Sequence, residues 1–141
     1  MSYDADNIFA RILRGELPCE RVHEDDLTVV IMDIMPRTDG HVLVLPKEPA
    51  RTILDASPEA LAACLASLQK VGRALMTAFA ADGLTVQQFN EAAGGQEVFH
   101  LHFHLLPRHA GVGTRRPGTM ADPGVLKDHA GRIRAALAAQ D

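Results

Sequence analysis

The chain has 141 residues, 14 Lys and Arg against 18 Asp and Glu, 47% hydrophobic and 23% charged residues, and no Trp. This length holds one folded core, so a single domain over 1–141 is expected, and the composition excludes a disordered or fibrous protein. A formal net charge of −4 removes the cationic surface on which non-specific nucleic-acid binding depends.

In chain order, Asn7 to Arg14 reads as a short helix with Phe9 and Ile12 on one side, stopped by Gly15 and the break at Leu17-Pro18. Strands are expected from Val22, over Leu27–Met32, and over His41–Leu45, with a turn at Pro36-Arg37-Thr38-Asp39-Gly40. A long helix is expected from about Pro58 to about Ala81. Ser57 suits its N-cap, Pro58 its first position, Glu59 its positive dipole end and Gly83 its stop. Leu61, Cys64, Leu65, Leu68, Val71 and Leu75 form its inward stripe. Strands over Thr85–Phe89 and Val98–Leu106 follow, joined by the polar link from Asn90 to Gln96, and a terminal helix lies around Val125–Ala139. The fold class is therefore α+β, an antiparallel sheet of about five strands with one long helix and short terminal helices. Its core covers about 7–108, followed by a C-terminal loop and helix over about 109–141.

No apolar run approaches the roughly 20 residues of a membrane span, and the N-terminus lacks the basic start and apolar stretch of a secretory signal. A cytoplasmic protein without membrane or nucleic-acid partners is expected. Cys19 and Cys64 form no CxxC pair, so two reduced thiols are expected, Cys64 as packing.

His100, His102 and His104 occupy alternate positions in FHLHFHLL. On a strand all three face one way while Leu101, Phe103 and Leu105 face the core. Imidazoles about 6.6 Å apart can bracket one reacting group as nucleophile, acid or base. Two of them could share a zinc, but His100 and His104 stand about 13 Å apart along a strand, too far for all three to ligate one ion unaided. Just ahead of them, Asn90, Gly94, Gly95 and Gln96 offer two amides and backbone N–H groups that could cradle phosphate oxygens.

The string QFNEAAGGQEVFHLHFHLLPR, with IFARILRGELPCERVHEDDLTVVIMDIMPRTDGHVLVLPK upstream, resembles the histidine-triad (HIT) family of nucleotide hydrolases and transferases, from about Asn7 to Arg108. The resemblance implies a homodimer and a purine nucleotide substrate, AMP-like, cleaved as by a phosphoramidase and without a cofactor. A dinucleoside polyphosphate hydrolase and a nucleotide-binding module with little turnover are the alternatives. It makes His102 the nucleophile, His100 the group that sets its tautomer with His41 behind, and His104 the phosphate ligand that protonates the leaving group. It assigns Asn90, Gly95 and Gln96 to phosphate oxygens, Asp33 to the ribose, and Phe9, Ile12, Leu17, Ile31 and Ile34 to the base; these five also read as ordinary core.

Three departures stand out. Where many bacterial members hold a structural zinc with a CxxC and a later histidine, this chain has Asn7, Ala10 and Pro49, so no metal is expected. The link from Asn90 to the triad is one residue shorter than in the phosphoramidase branch. Glu97 stands where Ser or Thr is common, a carboxylate that repels phosphate unless it points away or binds a cation. Arg108, Arg115 and Arg116 read as solvated loop charges, with a phosphate-facing role as the alternative.

Overall fold

Apolar alternation fixes both faces of the sheet. In β2 (Thr28–Met32) and β3 (Val42–Pro46) every residue is buried, because the two faces pack against different elements. Val30, Met32, Val42 and Val44 join Phe103 and Leu105 in a core against the long helix, while Val29, Ile31, Leu43 and Leu45 face Phe9 and Ile12. Each such side chain, removed from water, contributes about 1.5–3 kcal/mol. The computed structural model describes residues 2–140. The sheet also contains β1 (Arg21–Glu24), β4 (Gly83–Gln87) and β5 (Phe103–Arg108), in the order β1-β2-β3-β5-β4 with every neighbour antiparallel.

Helix α1 (Ile8–Leu13) starts where the Asn7 side chain accepts from the Ala10 N–H, at 2.8 Å. Helix α2 (Pro58–Ala78) is capped by Ser57, whose hydroxyl accepts from the Ala60 N–H, and α3 (Pro123–Ala138) by Asp122. The α2 stripe differs from the expected one. Cys64, Val71 and Leu75 are buried, but Leu65 is 52% exposed and Leu61 and Leu68 are only partly buried. Ser67 takes the inner position instead, because its hydroxyl meets Thr28 Oγ1 at 2.6 Å and Asp25 Oδ2 at 3.1 Å. A satisfied hydroxyl can be buried where hydropathy alone points to leucine.

Helix α2 also ends three residues early, and Gly83 is not its stop. Ala81 N–H reaches Met76 O and Ala80 N–H reaches Thr77 O, a Schellman closure with Ala80 in the left-handed position at φ +47°, and Gly83 opens β4. Among the described residues no helix is long and apolar enough to cross a membrane. Both cysteines are free, and burial pushes the Cys64 thiol up to about 12.

Candidate active site

The fifth strand is shorter than expected, and this changes the histidine row. Pairing with β3 reaches only Val44↔Phe103, since Pro46 has no N–H with which to extend the ladder. The Leu101 N–H turns instead to Ala50 O, at 2.8 Å. His104 alone lies in β5; His100 and His102 precede it. Alternation survives: Leu101, Phe103 and Leu105 enter the helix-side core, while the His102 and His104 rings adjoin at 5.0 Å between centroids. His100 is fully buried and does not belong to an open row.

Hydrogen bonds assign the tautomers along the cluster. His102 Nδ1–H donates to the His100 main-chain carbonyl at 2.6 Å, so Nε2 keeps its lone pair and has no partner among the described residues. The carbonyl of His100, not its ring, therefore sets the His102 tautomer. The His100 ring is occupied elsewhere, Nε2–H donating to Pro46 O at 2.8 Å and Nδ1 accepting from the Tyr3 hydroxyl at 2.6 Å. Phe9 meets His102 edge-on, 4.9 Å between centroids.

His41 stands behind His104 rather than behind His100. The Arg37 N–H donates to His41 Nδ1 at 3.0 Å, which leaves the proton on Nε2. That Nε2–H donates to His104 Nδ1 at 2.9 Å, with Asp33 Oδ2 at 3.4 Å. His104 in turn carries its proton on Nε2. Burial, then the charge of Arg37, then His102 hold His41 down to about 4. His104 is held at about 4 by burial, then His102 and His41, and His102 is lowered mainly by burial. All three are thus neutral near pH 7. Asp33, His41 and His104 also lie close enough to surround a cation. Their donor set does not suit one, since His41 spends its Nδ1 lone pair on the Arg37 N–H and presents a proton at Nε2.

The link before the triad is a scaffold. Gln96, 3% exposed, accepts from the Glu91 N–H through Oε1 and donates through Nε2 to Arg51 O and Val98 O, so its side chain has no group left for a phosphate. Asn90 Oδ1 accepts from the Ile53 N–H, and its amide is paired with that of Gln88. The N–H groups of Gly94, Gly95 and Gln96 bond within the turn. In this structure the Asn90 and Gln96 side chains hold the loop against the chain between β3 and α2, through the Ile53 N–H and Arg51 O. Among the described residues the N–H groups of Glu97, Val98 and Phe99, which the sequence did not single out, have no hydrogen-bond acceptor. Arg51 grips Glu91 through three N–O contacts of 2.8–3.0 Å and so holds a residue at φ +64°, a conformation disfavoured for any side chain.

Of the residues expected at the base, Phe9, Ile12 and Ile31 are buried together with Leu17 packed against them. Ile34 is 50% exposed and outside this cluster, and its carbonyl accepts from the Ala121 N–H. Arg115 pairs with Asp39, and its N–H meets Arg37 O at 2.8 Å, fastening the C-terminal loop to the turn that carries Asp33 and His41. Arg108 bonds Thr85 Oγ1, and Arg116 is exposed. Tyr3 was missed by sequence reasoning; no periodicity or spacing marks a lone tyrosine near a terminus.

The HIT domain profile matches residues 14–111. An adenylylsulfatase of Arabidopsis thaliana is 36% identical over 103 residues, 73% of this chain, which spans about half, 52%, of that protein. An adenosine 5′-monophosphoramidase of Schizosaccharomyces pombe is 33% identical over 123 residues, 85% of this chain and 90% of its own. The crystal structure of a HIT-like protein from Bartonella henselae superposes with a TM-score of 0.93 at 47% identity, covering 96% of this chain and 99% of that one.

Proposed function

The chain belongs to the HIT family, and from that premise we propose that it cleaves a nucleoside 5′-phosphate, AMP in the first instance, from its leaving group through a covalent nucleotidyl-His102. The observation that carries this reading is the His102 tautomer: Nδ1–H is held by the His100 carbonyl, and Nε2 is a neutral, unpartnered nucleophile. Two relatives, named as an adenylylsulfatase and an adenosine 5′-monophosphoramidase, support the substrate class.

In the first step His102 Nε2 forms a bond to the α-phosphorus as the bond to the leaving group breaks. The negative charge of the bound phosphate opposes the burial that keeps His104 neutral, so in the complex His104 takes up a solvent proton at Nδ1, which releases the His41 Nε2–H, and gives its Nε2 proton to the departing group. In the second step water attacks phosphorus, the P–N bond breaks, and His104 receives the proton that water loses. Before substrate binds, His41 holds neutral His104 with Nε2 as its outward donor, and the N–H groups of Glu97, Val98 and Phe99 are oriented amides for the phosphate oxygens. Asp33 is assigned to the ribose, and Phe9, Ile12, Leu17 and Ile31 to the base.

The reading extends to a homodimer. Strand β4 is an edge whose outer side has no partner among the described residues, and the adjoining groove is lined by Leu68, Gly72, Met76 and Leu84. Pairing two such edges would continue the sheet and cover the groove.

The test is release of AMP from adenosine 5′-phosphoramidate by wild type and His102→Ala with chelator in both. Turnover by the wild type alone is expected. Equal turnover by the two would exclude His102 as the nucleophile, and no turnover with nucleotide still bound would make this a binding module.

A further inference from the structure

Tyr3 reaches the site from outside every helix and strand. Its hydroxyl is 2.6 Å from His100 Nδ1 across 97 positions of sequence, and the two rings meet edge-on with centroids 5.6 Å apart. His100 is thereby held at three points: Nδ1 by Tyr3, Nε2–H by Pro46 O, and the carbonyl by His102 Nδ1–H. We propose that Tyr3 is a positioning residue for nucleotidyl transfer, fixing the His100 ring and, through the His100 carbonyl, the orientation of His102. This rests on the reading of His102 as nucleophile.

Three observations support it. The Pro46 carbonyl can only accept, which puts the ring proton on His100 Nε2, so Nδ1 of the neutral ring is a lone pair that needs a donor, and the Tyr3 O–H is the one supplied. Burial, the largest influence on Tyr3, pushes its phenol above the ordinary range, so it remains a donor at neutral pH. The segment that carries it is docked: Asn7 Nδ2 donates to Asp4 O at 2.7 Å, and Arg14 Nη1 donates to Ala5 O at 2.7 Å. This segment runs directly into α1, which sets Phe9 on His102, so the N-terminus grips two of the three histidines. Without the hydroxyl, Nδ1 is a buried acceptor with no partner, a state relieved by rotation or tautomer exchange of the ring.

Tyr3 is the only tyrosine in the chain, so biosynthetic 3-fluorotyrosine labels this hydroxyl alone. Full-length wild type, Tyr3→Phe and the fluorotyrosine protein are compared by steady-state kinetics and by NMR of 15N-histidine. For Tyr3→Phe, kcat should fall about tenfold, as a small misplacement of a reacting group can cost that much or more. KM should stay within about twofold, since the proposed role is exerted on His102 and not on substrate. The His100 Nδ1 and His102 Nδ1–H resonances should both move. The more acidic fluorophenol keeps kcat near wild type while shifting His100 Nδ1, which tests the contact even if Tyr3→Phe folds poorly. Unmoved His102 resonances in Tyr3→Phe, whatever happens to kcat, would overturn the proposal. Should the wild type itself turn over no nucleotide, the functional reading fails, and the NMR comparison still decides whether Tyr3 orients His102.

Discussion

Replacing His41 by asparagine should change how the fold responds to acid. His41 is 2% exposed and titrates at about 4 rather than its ordinary 6.5, through burial first and the charge of Arg37 second. Between those values the unfolded chain binds a proton that the folded chain refuses, so stability falls as pH drops from 6.5 toward 4 and is unaffected above that window. Over the full window, 6.5 − 4 = 2.5 pH units at about 1.4 kcal/mol each gives about 3.5 kcal/mol. From about pH 7 to about pH 5 the loss is about 2 kcal/mol. The asparagine variant lacks this ionisation, while its side-chain oxygen can still accept from the Arg37 N–H. Urea unfolding of both proteins at the two pH values measures the difference. At neutral pH the variant should be the less stable, having lost the bond to His104, and by about pH 5 the gap should narrow by about 2 kcal/mol. Parallel losses in the two proteins would refute a buried, neutral His41.

Gly95 has φ +98°, and a Cβ there would lie 3.1 Å from the Phe89 ring, which itself packs on His104; Gly95→Ala should lower kcat/KM about tenfold or more, measured by AMP release. Ala80→Gly should stabilise the protein by about 0.5–1 kcal/mol in urea unfolding, because φ +47° strains alanine and not glycine. Glu97→Ser should raise kcat/KM for an anionic substrate about three- to tenfold at low salt, with the gain shrinking as salt is added; an unchanged value means the carboxylate is remote from the substrate.

The elements that local chemistry dictates were legible in the sequence. Ser57 announces itself as a cap and β2 and β3 as apolar runs, and the segregation of Leu101, Phe103 and Leu105 from the histidines follows from strand alternation. What was not legible depends on partners distant in the chain. Ser67 is buried in place of Leu65 because Asp25 and Thr28 await its hydroxyl. Strand β5 begins late because Pro46, in another strand, cannot extend the ladder. Gln96 and Asn90 carry the residue types of a phosphate cradle, yet their amides are consumed by Arg51, Ile53, Gln88 and Glu91. His41 was expected near the triad, but its pairing with His104 rather than His100 is a matter of register between β3 and β5.

In the proposed reaction His102 becomes covalently nucleotidylated. The most direct measurement is rapid acid-free quenching of the enzyme during turnover of adenosine 5′-phosphoramidate, followed by mass spectrometry of the digested protein. An adenylyl group on the peptide containing His102, formed and lost at rates compatible with turnover and absent from His102→Ala, is the predicted result. Turnover that proceeds with no adduct, or with the adduct on another residue, would contradict it.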